Sequence, residues 1–341
     1  MKKLSIATAA MIAAFAAPAL AQGGAVSSRC SSGNLQDACQ KAQDVFGYMT
    51  PQFGTSLAGG NTILGSAGSL GGLGHFSVGV RANAIKGSLP DVEQFTVRIN
   101  GAARETLPTK DQVLGAPAVE VGLGLFGGIP LGLTSVGGVD AIVSAMYLPN
   151  YDNDNFSVEA SGGSLKLGYG ARIGLLKETL LVPGLSVSVL KRDTPELRLV
   201  ATTEGGALGT ERDEFELSSF QVKTTSWRLT ASKGLTMFGV AAGVGQDKYD
   251  SGADLSVTVR EGAVGTCSAA TPCSGTFRFD NKITRTTYFG DVALNLPFVK
   301  IVGEIGQASG GNLSQPTFND FADRKANGSQ LFGSVGVRLA F

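Results

Sequence analysis

The stretch GSVGVRLAF, residues 333–341, carries apolar side chains at every second position: Val335, Val337, Leu339 and Phe341 form one row, with Ser334, Gly336 and Arg338 opposite. Residues i and i+2 point the same way only on an extended strand; on a helix this set would scatter around the cylinder. Soluble domains usually finish in a frayed, polar stretch, whereas this alternation continues to Phe341. A strand of this kind is expected to separate two media.

The same alternation recurs upstream. In FSVGVRANA (76–84), Phe76, Val78, Val80, Ala82 and Ala84 oppose Ser77, Gly79, Arg81 and Asn83. In VEVGLGLF (119–126), Val119, Val121, Leu123 and Leu125 oppose Glu120, Gly122 and Gly124. LKLGYGARIGL (165–175) sets Leu165, Leu167, Tyr169, Ala171, Ile173 and Leu175 against Lys166, Gly168, Gly170, Arg172 and Gly174. SWRLTAS, FGVAAGVG and VKIVGEIG repeat the pattern around Arg228, Gly243 and Glu304. A soluble sandwich also alternates, but its second face shows Lys, Glu and Thr to water. Here that face is mostly glycine with isolated charges, which suits a crowded, partly polar bore.

After residue 21 there is no charge-free apolar run long enough for a spanning helix, which needs about twenty residues. The nearest, VGLGLFGGIPLGLTSVGG (121–138), is broken by glycines and Pro130. The other structure that can cross lipid is a closed β-barrel, because all its backbone bonds are satisfied between strands. Ten strands are read at 73–86, 116–127, 136–148, 162–176, 184–202, 213–232, 235–249, 275–296, 298–309 and 329–341. Short turns then alternate with long polar segments at 87–115, 149–161, 203–212, 250–274 and 310–328. Membrane barrels have this asymmetry, short turns on one side and long loops on the other. The expectation is an all-β, transmembrane, antiparallel up-and-down barrel of about 10 strands, or roughly 12–14 if FTVRI (95–99) and others join.

Composition agrees. Hydrophobic residues make up 43% of the 341, glycine supplies 48 positions, and 28 basic side chains cancel 28 acidic ones. Zero net charge argues against a nucleic-acid partner, which would need a basic excess. It also argues against a disordered chain. At the start, the basic MKK, an apolar run and ALA before Gln22 read as a signal peptide cut after Ala21. In an exported protein, Cys30 with Cys39 and Cys267 with Cys273 read as two local disulfides, each contributing roughly 2–3 kcal/mol. Residues 22–72 break the strand pattern. Leu35, Ala38, Ala42, Val45, Phe46 and Met49 fall on one side of a helix capped by Asn34, and a glycine-rich, flexible stretch follows. This segment is either a periplasmic lead-in or a plug folded into the barrel, which itself would occupy 73–341.

The ending resembles the C-terminal signal of bacterial outer-membrane β-barrel proteins, polar-x-Gly-x-x-apolar-x-aromatic, carried here by Ser334, Gly336, Leu339 and Phe341. The resemblance implies an outer-membrane location, a lipid-facing exterior, periplasmic chaperones on the way and the barrel-assembly machinery as the partner that reads the signal. The N-terminal segment is similar to the plug of long-chain fatty-acid channels at the level of fold only.

Candidate functional residues are the charges of the inward row: Arg81, Glu120, Asp140, Lys166, Arg172, Arg228, Asp291, Lys300, Glu304 and Arg338. They are expected either to pair with one another or to line a selective pore. Hydrolytic chemistry would need a histidine near the outer rim, and the sole one, His75, falls at the opposite end. YDNDNFS (151–157) clusters oxygen ligands but lacks the glycine and distal glutamate of a calcium loop. No catalytic residue, cofactor or metal is assigned. The expected function is a channel or transporter for a small solute, hydrophobic ones included. The alternative is a structural barrel with a sealed lumen and partner-binding outer loops.

Overall fold

The computed structural model describes residues 24–30, 33–148, 150–152, 156–202, 213–260, 267–268 and 270–341. Ten long strands form the wall: β1 (Phe76–Pro90), β2 (Thr109–Phe126), β3 (Gly138–Tyr147), β4 (Leu165–Leu176), β5 (Gly184–Asp193), β6 (Glu214–Leu235), β7 (Phe238–Val259), β8 (Cys273–Asn295), β9 (Val299–Ala308) and β10 (Gln330–Ala340). Each pairs antiparallel with the next, and β10 returns to β1, with Val78 opposite Leu339 and Arg81 opposite Gly336. The sheet is therefore a closed barrel.

Its two faces meet different surroundings. Val80, Val335 and Ile305 point outward and are 58%, 60% and 69% exposed, while Arg81 and Arg228 point inward and are 2% and 1% exposed. Such a belt of bare apolar side chains is far larger than a water-soluble monomer presents. At the closing seam Phe76 stacks on Phe341, ring centroids 5.0 Å apart. No helix among the described residues is long and apolar enough to cross a membrane.

Several boundaries differ from the sequence reading. β1 runs to Pro90 and β2 starts at Thr109, which shortens the connection expected at 87–115. β7 continues to Val259 and β8 begins at Cys273, so 250–259 and 273–274 are strand rather than loop. The lipid-facing pattern stops where the lipid stops, but the hydrogen-bond ladder does not need lipid. Cross-strand pairs such as Arg278–Asp254, 2.9 Å apart, carry it on beyond the belt. FTVRI is not a strand: its backbone is taken up by the helix below, Arg98 N donating to Asp37 Oδ2 at 2.9 Å and Thr96 O accepting from Lys41 Nζ.

Inside the wall lies helix α1 (Gln36–Ala58). It begins after Leu35 without a side-chain cap, not at Asn34, and it runs past Met49 through Pro51 into the stretch expected to be flexible. Apolar Ala38, Ala42 and Phe46 are buried, but so are Asp37, Lys41, Asp44 and Thr55. A helix covered on its polar side as well as its apolar side has wall and loops all around it, and that confinement overrides the weak propensity of Gly and Pro. The hydroxyls of Thr50 and Thr55 bond back to Phe46 O and Pro51 O, each at 2.8 Å. Cys30 and Cys39 form a disulfide beside the helix start, and Cys267 and Cys273 another at the head of β8.

Residues 59–75 continue from the helix toward the start of β1, pressed against wall glycines. A Cβ at Gly124 would lie 2.4 Å from Gly72 O, and one at Gly336 would lie 2.8 Å from the Leu64 side chain. The inward glycines thus make room for a second chain. The signal-peptide region and Asn153–Asn155 fall outside the described residues.

Val337 sits near the middle of its outward row. Val337→Arg is expected to lower unfolding free energy in phospholipid vesicles by about 2–4 kcal/mol, read from the fluorescence of Trp227 during denaturant titration. Ser256→Arg, beyond the belt on β7, should shift it by no more than about 0.5 kcal/mol. Equal effects would remove the lipid-facing assignment.

Candidate functional site

An irregular glycine-rich segment has no ladder of its own, so its buried backbone groups need partners from elsewhere. The wall supplies them with charges sorted by sign. Arginines meet carbonyls: Arg228 Nε and Nη2 donate to Gly60 O and Gly59 O, both at 2.8 Å. Arg192 Nη1 donates to Ala58 O at 2.8 Å, Arg81 Nη1 to Asn61 O at 2.7 Å and Arg172 Nη1 to Ser66 O at 3.4 Å. Carboxylates meet N–H groups. Glu304 accepts from Gly60 N at 3.1 Å and Asn61 N at 2.5 Å, Asp291 from Gly65 N at 2.9 Å, and Asp140 from Leu70 N at 3.1 Å.

The same charges brace one another across the bore. Arg172 pairs with Asp140 at 2.8 Å, Arg228 with Asp247 at 2.7 Å, and Arg81 with Glu304 at 3.1 Å, while Glu120 joins Arg81 and Arg192. Breaking one such buried pair leaves a charge without compensation, which typically costs 3–5 kcal/mol. Seven of the ten inward charges, Arg81, Glu120, Asp140, Arg172, Arg228, Asp291 and Glu304, thus belong to one network that holds residues 57–70. Lys166, Lys300 and Arg338 face inward but make no bond to that segment among the described contacts. Lys166 is half-buried near the outer end of β4, and the other two lie near the turn end.

Sequence reasoning missed Arg192, Asp247 and Arg285. Each lies on the inward parity of its strand, two residues along the row from a recognised position or a few steps further: Gly245 leads to Asp247, and Asp291 leads back to Arg285. Counting stopped where the outward residues ceased to be apolar, although the inward row continued.

Above the network is an apolar cavity of about 170 Å³. Its floor is the helix face of Ala42, Val45, Phe46, Met49 and Phe53; its wall is Leu199, Phe215, Leu217, Phe220 and Leu255; Val92 and Phe95 close it from the β1–β2 connection. Phe220 touches both Phe46 and Phe53 edge-on, with centroids 5.9 and 5.7 Å apart. The rim is charged, with Lys110 on Asp91 at 2.9 Å. Beside it the wall is notched: among the described residues β2 pairs with β3 only from Ala118 onward, while the short strands 197–202, 156–160 and 151–152 extend the sheet from β6. The cavity touches both sides of this notch, through Lys110 and through Ala201.

Asp44 fastens the 309–329 connection over the helix. Its carboxylate accepts from Phe318 N at 2.9 Å, Asn319 N at 2.8 Å, Asn319 Nδ2 at 2.9 Å and Gln40 Nε2 at 2.9 Å. Burial outweighs these donors and pushes the carboxyl up to about 6. His75 lies directly before β1, its N–H on Gly72 O and its carbonyl accepting from Gly124 N, at the turn end of the barrel. Among the described residues no group of His, Cys, Asp or Glu is arranged to hold a metal ion.

No family model matches the chain, and no curated protein matches it. Among solved structures, the toluene transporter TodX of Pseudomonas putida is 10% identical, with 84% of this chain and 97% of that chain covered at TM-score 0.33. The toluene transporter TbuX of Ralstonia pickettii is 10% identical, covering 83% and 92% at TM-score 0.28. A deltaS2S3 mutant of TodX, a monoaromatic hydrocarbon channel, is 12% identical, covering 78% of this chain and 66% of its own at TM-score 0.32. The likeness is one of barrel fold.

A carboxyl whose folded value is raised from 3.8 to about 6 binds extra proton in the folded state between those values. Its contribution to stability is fully present below about pH 4 and is lost as pH rises through about 6. Thermal midpoints of the detergent-solubilised protein from pH 4 to 8 should therefore fall less steeply over pH 4–6 in Asp44→Asn than in the parent. Parallel profiles would contradict the assignment.

Proposed function

We propose that this protein is an outer-membrane barrel that takes up a small apolar solute, with residues 59–75 acting as a plug. The observation that carries the reading is the apolar cavity, ringed by Phe46, Phe53, Phe95, Phe215 and Phe220, set directly above a bore filled by latched chain. Ligand sites are concave and mostly apolar, with a few polar groups at the edge, and this one meets the outer side through the notch in the wall. In this orientation the short turns face the periplasm and the long connections face outward. The charged row then serves as a lock on the plug rather than as a lining that selects ions. Ser334, Gly336, Leu339 and Phe341 present the last strand for recognition during barrel assembly. The reading is one of binding and passage without catalysis.

N-phenyl-1-naphthylamine, which brightens in apolar surroundings, should bind the detergent-solubilised protein saturably. Met49→Glu places a charge in the cavity floor and should weaken binding at least tenfold. A signal that never saturates, or that ignores the substitution, would favour a sealed barrel working through its outer loops.

The latch makes a separate prediction. In planar bilayers the parent protein should show little steady ion conductance. The double variant Arg228→Met, Glu304→Met removes four bonds to the Gly59–Asn61 backbone and should raise the open fraction severalfold. An unchanged trace from a variant that melts as a folded barrel would count against the plug.

A further inference from the structure

Turns between strands are usually built from Gly, Asn, Asp and Ser, which bend the chain and accept water. At the turn end of this barrel the connections are apolar instead. The β2–β3 connection is a short hairpin, Ile129–Leu131 with Thr134–Val136, that shows Ile129, Leu131 and Leu133. The β4–β5 turn shows Leu180 and Leu181, and the β6–β7 turn shows Met237. All six are more than half exposed, Leu180 at 88%. Cross-bonds fix their positions. Lys177 N donates to Ser135 O at 2.8 Å and Thr134 Oγ1 to Lys177 O at 2.7 Å, which joins the hairpin to the β4–β5 turn. Lys233 Nζ donates to Thr179 O at 2.7 Å and to Leu180 O at 2.6 Å, which joins that turn to the end of β6. Three connections thus form one apolar ledge.

Continuity and charge say what the ledge meets. On β4 the outward row from Leu165 to Leu175 is exposed throughout, and the β4–β5 turn follows directly below it. At about 3.4 Å per residue and a tilt of about 40°, that row covers about 26 Å, close to the apolar height of about 25 Å in membrane barrels. The belt therefore ends where the turn begins, and the ledge lies at the level of the lipid headgroups. Of the two charges in the turn, Glu178 is engaged by Ser232 Oγ and Gly234 N, while the Lys177 side chain is exposed. Residues 127–137 and 233–237 carry no acid. The ledge thus presents apolar tips beside a cation, with its one carboxylate occupied.

We infer that this ledge docks on an anionic phospholipid leaflet, its leucines, Ile129 and Met237 entering the boundary between headgroups and acyl chains and Lys177 binding a lipid phosphate. Segments that lie in a membrane interface bury their apolar face there and gain further hold from anionic lipid. A lysine beside such a face keeps its stem in apolar surroundings and its ammonium among the phosphates. The turn end is then a foot set in lipid rather than a set of loops in water. This uses only the membrane setting of the barrel, so it is separate from the apolar cavity and from whichever solute that cavity takes.

The test places a single tryptophan on the ledge. Leu181→Trp is made in a Trp227→Phe background, with Met237→Trp as the second probe should the first not fold, and the intact protein is reconstituted in phospholipid vesicles. Phosphatidylcholine brominated near the headgroup should lower the emission at least twofold, while iodide on both sides of the bilayer should leave it nearly unchanged. The thermal midpoint should rise when phosphatidylglycerol replaces part of the phosphatidylcholine. That rise should shrink by at least half in Lys177→Gln and be kept in Lys282→Gln, on β8 above the apolar belt. Quenching by iodide and not by brominated lipid would put the ledge in water and overturn the inference, leaving the surface to a protein partner. No rise, or a rise that Lys177→Gln leaves intact, overturns it as well, since the anionic headgroup would then have no part in the docking.

Discussion

A stretch of chain without helix or strand can lie inside a closed sheet only if its amides are answered from the wall, and that requirement organises this protein. Around this segment the ten strands have few spare backbone groups to offer, since each pairs with a neighbour on either side. The answer must come from side chains, and only long, charged ones reach the axis. Hence arginines stand where carbonyls arrive and carboxylates where N–H groups arrive, as at Arg228 with Gly59 and Gly60 and at Glu304 with Asn61. The inward glycines are the other half of the same solution, giving the segment room to approach.

The arrangement changes how a charged bore is to be understood. In an open pore, rings of charge select the ions that pass. Here the charges are consumed by protein, and the remaining opening is apolar and sits to one side. Sequence alone could not decide between these cases, because alternation shows which side chains face inward and not what they meet there. The partner is more than 200 residues away in sequence for Glu304 and Asn61.

Much of the architecture was legible. The alternation in 333–341 and its recurrence upstream fixed the ten wall strands and the orientation of almost every side chain on them, because period two has only one consistent reading where one face is wholly apolar. What was not legible lay beyond the apolar belt. There the ladder of β7 and β8 continues with polar residues on both faces, and periodicity of hydrophobicity has nothing to mark. The helix length was missed for a related reason: Pro51, Gly54 and Thr55 argue against a helix in water, but not for one packed on Tyr249, where a Cβ at Gly54 would lie 2.6 Å from the ring. The cavity was invisible because Phe46, Phe95 and Phe220 come from three distant segments.

The path of the first fifty described residues has a consequence for how the molecule is made. The chain leaves the turn end at Phe76, yet its earlier part lies at the opposite end, where Gly24 N bonds to Thr317 O at 2.9 Å. It therefore passes through the ring that β1 and β10 complete. Either the sheet zips shut around a strand of chain already in place, or a leading end thickened by the Cys30–Cys39 loop is drawn through afterwards. The first route asks only that the seam be the last contact to form, and it makes the inner segment a mandrel on which the cylinder is wound.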